Sequence, residues 1–372
     1  MTALTSMLQK GERVELYLRR LFESFGYKKY RMSKFENYDL YAENKSFLKN
    51  ESIITFHDLS GKLMALKPDV TLSIVKNAKG ASAEKYYYVD KVFRLQSQNR
   101  EYREIAQMGL EYIGPIGLFE TAEVVSLALE SLSAIERDYV LEFSHMGFVE
   151  GLLAGEGVTG ELREQVLTAL SQKNVDEITL LCSRAGLSSE QVERVAALAT
   201  LGGSYAETLA KARGISRTLE TKAALSELGV LFELLDELKL SSNLRLDFSI
   251  TNSVDYYNGL IFNGYVEGLP RAVLSGGRYD NLLRRFGRST SAIGFALYLD
   301  EVERALREPK DYDVDYLILH EEGEDSAGLF RACRKLIDQG YTVTALRKRP
   351  EGLRCKKICR FQDGVLKEET VC

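Results

Sequence analysis

Hydrophobic positions near the amino end of the chain recur at the spacing of an amphipathic helix. Val14, Leu18, Leu21, Phe22 and Phe25 fall at i, i+4, i+7, i+8 and i+11. Residues at this spacing share one face of a helix, and the glycine that follows them is a common helix end. The pattern predicts a helix that closes at Gly26.

The pattern then alternates between extended segments, turns and one short helix. Asp58 and Gly61 supply the residue types of a hairpin turn between two short strands. The elements expected here are strands over 52–56, 63–66 and 86–94, a helix over 70–77, and a strand at 111–114 that pairs with 86–94.

A helical period begins near Glu120 and dominates residues 149–240. Leu162, Val166 and Leu170 recur every four residues. This block contains no cluster of polar residues, and strand alternation returns abruptly at 244–250. We therefore expect one sheet that is interrupted by a helical insertion at about 150–240.

Glycine-containing segments follow the insertion. Asn258-Gly259 lies between two apolar runs, which is locally the signal of a hairpin. Residues 275–280 suggest a Gly-rich turn that leads into a helix, and 293–297 begin another apolar element.

The end of the chain predicts a separate small α/β unit. Alternation at 314–318 and the segment 341–346 indicate two strands, and 329–337 indicates a helix between them. We therefore expect two domains, 1–310 and 311–372. A length of 372 residues suits two or three domains.

Composition is that of an ordinary globular protein. Hydrophobic residues make up 45% and charged residues 28%, and no run of 18 or more apolar residues occurs. The first residues lack the apolar core of a signal peptide, so we expect a cytoplasmic protein. A net charge of −5 gives no overall basic field for nucleic acid, although a local patch would escape this measure.

Several kinds of chemistry find no support in the sequence. The five Cys are an odd number at irregular spacing, and the chain has three His, so we expect free thiols and no metal site. G-x-x-x-x-G-K-[ST] and a G-x-S-x-G elbow are absent. The single G-x-G-x-x-G, Gly155 to Gly160, lies in the helical block and follows no expected strand, so it does not indicate a dinucleotide site. No cofactor is expected.

Polar residues in three otherwise apolar stretches resemble the motifs of one enzyme family. Residues 93–111, with Arg94 and Glu111, resemble motif 2 of histidyl-tRNA synthetase, a class II aminoacyl-tRNA synthetase. Asp255-Tyr256-Tyr257 resembles its histidine-specific signature, and 275–296 resembles motif 3. The match covers about residues 10–305.

The resemblance implies an α+β fold. A class II synthetase-like antiparallel sheet flanked by helices would carry the helical insertion, and a small C-terminal α/β unit would follow. In the family, the segment that matches 257–262 is a continuous central strand, which argues against a turn at Asn258-Gly259. Gly259 would instead permit the close approach of a ligand.

The resemblance also implies a pocket for histidine. The implied histidine-binding residues are Asp69, Thr71, Tyr102, Gln107, Glu111, Tyr256 and Tyr257. The first two match positions at the α-ammonium group, and Glu111 matches one beside the imidazole. Carboxylates suit both cationic groups because charge-assisted hydrogen bonds are strong. For each residue taken alone, a polar side chain satisfied within the sheet is an equal alternative.

Other positions depart from the synthetase pattern where it binds ATP. Arg94 keeps the motif 2 arginine and is a candidate phosphate contact, but two other family arginines fall on Asn252 and Glu301. Tyr298 replaces a glycine that leaves room for ATP. Loss of one cation at a developing charge can cost about a hundredfold or more in rate. We therefore expect no adenylation activity and no catalytic residue.

The C-terminal unit departs as well, because it is shorter than the family's anticodon-binding domain. It holds the strongest basic cluster of the chain: Arg347, Lys348, Arg349, Arg354, Lys356, Lys357 and Arg360. A solvated face or a patch for an acidic partner is favoured over a nucleic acid contact. Binding of tRNA is not expected.

A synthetase-like chain with these departures is similar to the regulatory subunits of ATP phosphoribosyltransferase. That resemblance implies a homodimer through the core, a hetero-octamer with the short catalytic subunit, and feedback inhibition by L-histidine in the first step of histidine biosynthesis. The catalytic subunit would require this chain for activity. A divergent histidine-tRNA ligase and a synthetase-like histidine sensor with another partner are the alternatives.

Overall fold

A computed structural model describes residues 8–44, 53–78, 83–96, 101–251, 257–306 and 311–369. The chain divides into two compact units, residues 1–306 and 307–372. The division falls slightly before the boundary expected at 310.

Helices and strands alternate along the first unit. Its elements in chain order are α1 (Lys10–Ser24), β1 (Lys28–Lys29), β2 (Phe35–Asn37), α2 (Tyr38–Ala42), β3 (Thr55–His57), β4 (Leu63–Leu66), α3 (Thr71–Asn77), β5 (Glu84–Gln96), β6 (Glu101–Gly114), α4 (Leu118–Ile135), β7 (Tyr139–His145), α5 (Met146–Gly155), α6 (Gly160–Ser171), α7 (Val175–Arg184), α8 (Ser189–Ala197), β8 (Gly202–Ser204), α9 (Tyr205–Ile215), α10 (Leu219–Glu237), β9 (Leu244–Asp247), β10 (Leu260–Val266), β11 (Leu274–Arg278), α11 (Asp280–Arg285), β12 (Ser291–Tyr298) and α12 (Leu299–Ala305).

The main sheet of this unit joins strands that are far apart in sequence. Over the described residues its order is β1-β5-β6-β12-β11-β10-β7-β9-β8. The pairs β1–β5 and β7–β9 are parallel, and the others are antiparallel. A smaller antiparallel sheet has the order β2-β4-β3. The predicted α+β class is confirmed.

Each face of the main sheet packs against helices. On one face, Leu110 and Phe295 share a buried cluster with Phe22 of α1 and Val125 of α4. The rings of Phe22 and Phe295 meet edge to face at 5.9 Å. Burial of each such side chain contributes about 1.5–3 kcal/mol, so this face holds the main core.

The opposite face is covered by α3 and α11. Leu72 of α3, Leu282 of α11 and Tyr88 of β5 belong to a second buried cluster on that side. These helices bring the segments that precede them, residues 67–70 and 279, onto the sheet. The second face therefore has a buried apolar cluster together with polar residues at the starts of α3 and α11.

The helical insertion consists of α5 to α10, as the sequence predicts. Leu225, Leu228, Leu231 and Leu235 of α10 are all buried, which explains their spacing of three and four residues. The insertion also supplies the short strand β8, which pairs with β9 at the sheet edge. That strand was not predicted.

Two local predictions differ from the structure, and at Asn258-Gly259 the structure agrees with the resemblance, which argued against a turn. Strand β7 lies within a region that was predicted to be helical. Residues Leu274–Arg278 form β11 rather than a turn, because they pair with both β10 and β12. A Cβ on Gly276 would lie 2.5 Å from the carbonyl oxygen of Gly294, so this position in the strand requires a glycine. Asn258-Gly259 does not reverse the chain: Asn258 N donates to the Arg278 carbonyl oxygen at 3.0 Å, and the chain continues into β10.

The second unit forms a small sheet with one helix. Its elements are β13 (Val314–Leu319), α13 (Ser326–Asp338), β14 (Val343–Leu346), β15 (Cys355–Gln362) and β16 (Val365–Glu369). The strand order is β14-β13-β15-β16. Ile318, Cys359 and Phe361 form its buried core. The strands expected near 314–318 and 341–346 are present, whereas β15 and β16 were not predicted.

The described part of the chain lacks two further features. None of its helices is long and apolar enough to span a membrane. Within the same ranges, no group of three His, Cys, Asp or Glu side chains is arranged to hold a metal ion. Cys182, Cys333, Cys355 and Cys359 are free thiols.

Candidate functional site

Alternation along β6 separates a packing face from a polar face. Met108 and Leu110 are fully buried in the main core. Gln107 and Glu111 face the other way, because side chains alternate along a strand, and they are 4% and 3% exposed. Two polar side chains are thus buried on the face that α3 and α11 cover.

The carboxylate of Glu111 lies at the centre of this polar face. The Thr71 hydroxyl, at the start of α3, donates a 2.7 Å hydrogen bond to its Oε1. The Tyr279 hydroxyl donates to its Oε2. Burial nevertheless raises the pKa of Glu111 to about 8, although both donors favour the charged form. A cation bound beside this carboxylate would favour its ionised form.

Gly294 provides the space that Glu111 occupies. It lies opposite Glu111 in the β6–β12 register. A Cβ at this position would lie 1.8 Å from Oε2 of Glu111 and 2.3 Å from the Leu110 carbonyl oxygen. Neither approach is sterically allowed, so the site requires a residue without a side chain here.

Asp69 is a second carboxylate of the same region. Its Oδ1 accepts a 2.8 Å hydrogen bond from the backbone N–H of Leu72 in the first turn of α3. Burial raises the pKa of Asp69, and Arg94, with Nη2 3.6 Å from Oδ2, opposes that rise. The charge of Asp69 also contributes to the raised pKa of Glu111. The buried Lys67 is paired with Asp90 instead.

Tyrosine rings border the two carboxylates. Burial raises the pKa of Tyr257, and the charges of Glu111 and Asp69 add to this effect. Burial and the same two carboxylates also raise the pKa of Tyr88. Aromatic faces next to carboxylates suit a flat cationic group, since both attract positive charge.

The structure brings most of the predicted histidine-binding residues onto one face. Those that lie there are Asp69, Thr71, Gln107, Glu111 and Tyr257. Tyr256 falls outside the described residues, as do Asp255 and Asn252. Arg94, the candidate phosphate contact, donates from Nε to the Pro68 carbonyl oxygen at 2.8 Å.

Tyr102 does not lie with the others, contrary to the expectation that it borders the imidazole. Its side chain is 54% exposed. It lies nine residues before Glu111 on β6, which corresponds to about 30 Å along an extended strand. The physical reason is that β5 and β6 remain paired from Glu84 to Gln96, so the hairpin extends past the core.

Sequence reasoning missed Tyr279 as a site residue. Its side chain is 1% exposed and its hydroxyl reaches Glu111. The available signal was its place in Gly276-Gly277-Arg278-Tyr279-Asp280, a polar run that was assigned to a motif without a role for the tyrosine.

Comparisons with known proteins agree with this geometry. A family model described as histidyl-tRNA synthetase matches residues 3–302. An ATP phosphoribosyltransferase regulatory subunit of Symbiobacterium thermophilum is 32% identical, over 89% of this chain and 85% of its own length. The chain belongs to the ATP phosphoribosyltransferase regulatory subunit family.

Solved structures similar to this chain share the fold of this family. An ATP phosphoribosyltransferase regulatory subunit/histidyl-tRNA synthetase from Bacillus halodurans has a TM-score of 0.74 at 24% identity, covering 90% of this chain and 88% of that one. A chain of the ATP phosphoribosyl transferase (HisG:HisZ) complex from Thermotoga maritima has a TM-score of 0.62 at 20% identity, covering 78% and 97%.

Two of the expected departures from the synthetase pattern, Tyr298 and Glu301, lie at the end of β12 and the start of α12. Tyr298, the last residue of β12, is in register with Gln107. Glu301, in the first turn of α12, accepts a 2.9 Å hydrogen bond from Arg304. This is the position at which the resemblance implies a synthetase arginine. The hydrogen bonds from Thr71 and Tyr279 to Glu111 lie elsewhere on the same face.

Acidic side chains accompany the C-terminal basic cluster. Four of its members form ion pairs: Arg347 with Glu322, Arg354 with Asp313, Lys357 with Glu368, and Arg360 with Glu369. Residues 311–369 contain eleven Lys or Arg and twelve Asp or Glu. This balance agrees with the interpretation of the cluster as a solvated face.

Replacement of Glu111 by Gln should flatten the pH dependence of stability. The pKa of Glu111 is about 8 in the folded state, against an ordinary value of 4.5. Between these values the folded state keeps a proton that the unfolded state has lost, so Glu111 makes the free energy of unfolding fall as pH rises. The cumulative effect is on the order of 4 kcal/mol.

Urea unfolding without ligand, at about pH 5 and about pH 8.5, measures this effect. The stability of the Glu111→Gln chain relative to the parent should rise by several kcal/mol over this range. The exposed Glu193→Gln on α8 is the control and should show no trend. Equal pH dependence in the parent and Glu111→Gln chains would contradict the raised pKa.

Gly294→Ala should destabilise the first unit by about 2–4 kcal/mol, because the new methyl group overlaps the Glu111 carboxylate and the β6 backbone. Gly214→Ala on α9 is the matched control, since a Cβ there would meet nothing within 4 Å. It should be neutral or slightly stabilising. Thermal unfolding of both variants provides the comparison. If Gly294→Ala is as stable as Gly214→Ala, the strands around Gly294 move to make room for the methyl group.

Proposed function

We propose that this chain is the histidine-sensing regulatory partner of a short ATP phosphoribosyltransferase catalytic subunit. The relative from Symbiobacterium thermophilum is named a regulatory subunit, and the Thermotoga maritima structure is named as a HisG:HisZ complex. In this proposal the chain forms a homodimer through its synthetase-like core and a hetero-octamer with the catalytic subunit. The catalytic subunit requires it for activity.

The buried Glu111 carboxylate, with Asp69 beside it, carries the proposal. Both groups have a raised pKa because burial removes water from them. A ligand with two cationic groups would compensate both, and L-histidine carries an α-ammonium group and a basic imidazole. One carboxylate at the start of α3 and one on β6 would each receive one of these groups. Thr71 and Tyr279 hold Glu111 in place for this contact.

The proposal includes the absence of adenylation by this chain. Adenylate formation develops negative charge on phosphate, which cations must stabilise. Glu301 places a negative charge where the resemblance implies a synthetase arginine, and Arg304 donates a hydrogen bond to Glu301. Arg94 is engaged with Pro68 and lies near Asp69. Free histidine is therefore a bound signal and not a substrate.

Regulation by this pocket is a linkage between two binding equilibria. Histidine must bind more tightly to the inhibited assembly than to the active one. A coupling free energy of about 1–3 kcal/mol corresponds to a change of about 5- to 150-fold in affinity. Thr71 and Tyr279 connect Glu111 to α3 and α11, so a change in its charge acts on two elements at once.

An activity assay tests the regulatory role. ATP phosphoribosyltransferase activity of the short catalytic subunit from the same organism is measured with and without this chain, while histidine is titrated. Activity should appear with the chain and fall with histidine. No stimulation of a competent catalytic subunit would overturn the proposal. Histidine-dependent pyrophosphate exchange by this chain alone would support a divergent histidine-tRNA ligase instead.

Glu111→Gln should weaken histidine binding by at least about tenfold, because the ligand loses a charged partner. Assembly with the catalytic subunit should remain. Tyr102→Ala, which lies far along β6, is the control and should change histidine affinity less than about twofold. Calorimetric titration of the complex measures both. If Glu111→Gln retains full histidine sensitivity, the sensor lies outside this pocket.

A further inference from the structure

A cavity of about 450 Å³ is lined by residues of α11 and of the segment that joins α11 to β12. Its lining includes Arg284 and Arg288, the hydroxyl side chains of Ser289, Thr290 and Ser291, and Asp280. We call it the Arg284–Ser291 cavity. Its volume lies in the range of sites that hold small molecules.

The carboxylate of Asp280, which lines the cavity, is already paired with a cation. Asp280 accepts hydrogen bonds from Arg278 Nε at 2.9 and 3.2 Å and from the backbone N–H of Ala292 at 3.1 Å. Asn258 Nδ2 also approaches it, at 3.4 Å. Arg278 thus matches the charge of Asp280, so the arginines of the cavity itself are left to set its charge.

Arg284 and Arg288 are held by neutral groups. Arg284 Nη1 donates to the side-chain oxygen of Asn281 at 3.1 Å. Arg288 Nη2 donates to the carbonyl oxygen of Lys76, in the last turn of α3, at 3.1 Å. Within the described ranges, neither guanidinium forms an ion pair with a carboxylate, so the cavity carries a net positive charge.

Arg288 also has an unused donor. Its Nη1 is buried and has no hydrogen-bond partner among the described residues. A buried guanidinium N–H without an acceptor is costly and rare, so an acceptor at this point would be strongly favoured.

We propose that the Arg284–Ser291 cavity binds a phosphate-class oxyanion, either free or at the end of a small metabolite. Two guanidinium groups supply charge and paired donors that fit the oxygens of phosphate. Ser289, Thr290 and Ser291 supply hydroxyl donors around them. The site is separate from the Glu111 carboxylate site, which selects cations.

The binding test uses the full chain, without histidine or the catalytic subunit, so its result is independent of the proposed regulatory function. Inorganic phosphate, pyrophosphate and ATP are titrated by calorimetry in chloride buffer at constant ionic strength, which holds general screening fixed. Saturable binding of at least one of them is expected.

Variants then locate the binding. Arg284→Gln and Arg288→Gln should each weaken it by at least about tenfold. The exposed Arg285→Gln on the same helix does not line the cavity and should change it less than about twofold. Ser289→Ala, an exposed substitution that leaves both arginines in place, should also weaken binding and covers the case in which Arg288→Gln misfolds.

Three outcomes decide the proposal. Binding of phosphate or pyrophosphate that the cavity variants weaken supports a site for the free anion. Binding of ATP alone, with the same sensitivity, supports a site for a phosphorylated metabolite. No saturable binding, or binding that Arg285→Gln weakens as much as Arg284→Gln, overturns it.

Discussion

The burial of one acid, Glu111, is the constraint on which this site depends. A carboxylate removed from water needs hydrogen bonds or a cation. Thr71 brings α3 to it, Tyr279 brings the start of α11, and Gly294 leaves it room on β12. Three elements that are distant in sequence therefore meet at a single side chain, and the strand register around it cannot slip without losing these contacts.

The compensation of Glu111 is incomplete, and this has a functional consequence. Its pKa stays near 8, and that of Asp69 is also raised, so the ligand-free fold is less stable than it would be with neutral groups there. Under the proposed function, a cationic ligand would recover part of this free energy on binding. An arrangement of α3 and α11 that brings the two carboxylates closer to the ligand would recover more than one that does not. Such a difference is what a regulatory equilibrium requires.

Sequence patterns predicted those parts of the fold in which local preference and tertiary structure agree. The spacing of Leu18 and Phe22 identified α1, and Asp58 with Gly61 identified the β3–β4 turn. The glycines of residues 275–280 led to the wrong prediction of a turn, because tertiary contacts determine the structure there. Gly276 and Gly277 lie in β11, where the neighbouring strands leave no room for a Cβ, and no local pattern can reveal this crowding.

The site was predictable as a set of residue types and less so as a geometry. The resemblance to a synthetase pointed to Glu111 and Asp69, which the structure places on one face. It could not reveal that Tyr102 lies on the outer part of a long hairpin, because the length of the β5–β6 pairing depends on both strands. It also gave Tyr279 no role, since the hydrogen bond to Glu111 spans 168 residues of sequence.

The positions of Tyr298 and Glu301 suit the proposed function, in which an amino acid site persists where an ATP site does not. Gly294 and Tyr298 lie four residues apart on β12, which is about 13 Å along the strand. A bulky side chain at Tyr298 and an acid at Glu301 change the end of the face near Gln107. They leave the donors of Glu111, which come from α3 and the start of α11, untouched. Under the proposed function, the changes at Tyr298 and Glu301 would therefore remove phosphate chemistry without disturbing the hydrogen bonds to the Glu111 carboxylate, and one face of the sheet would pass from catalysis to sensing.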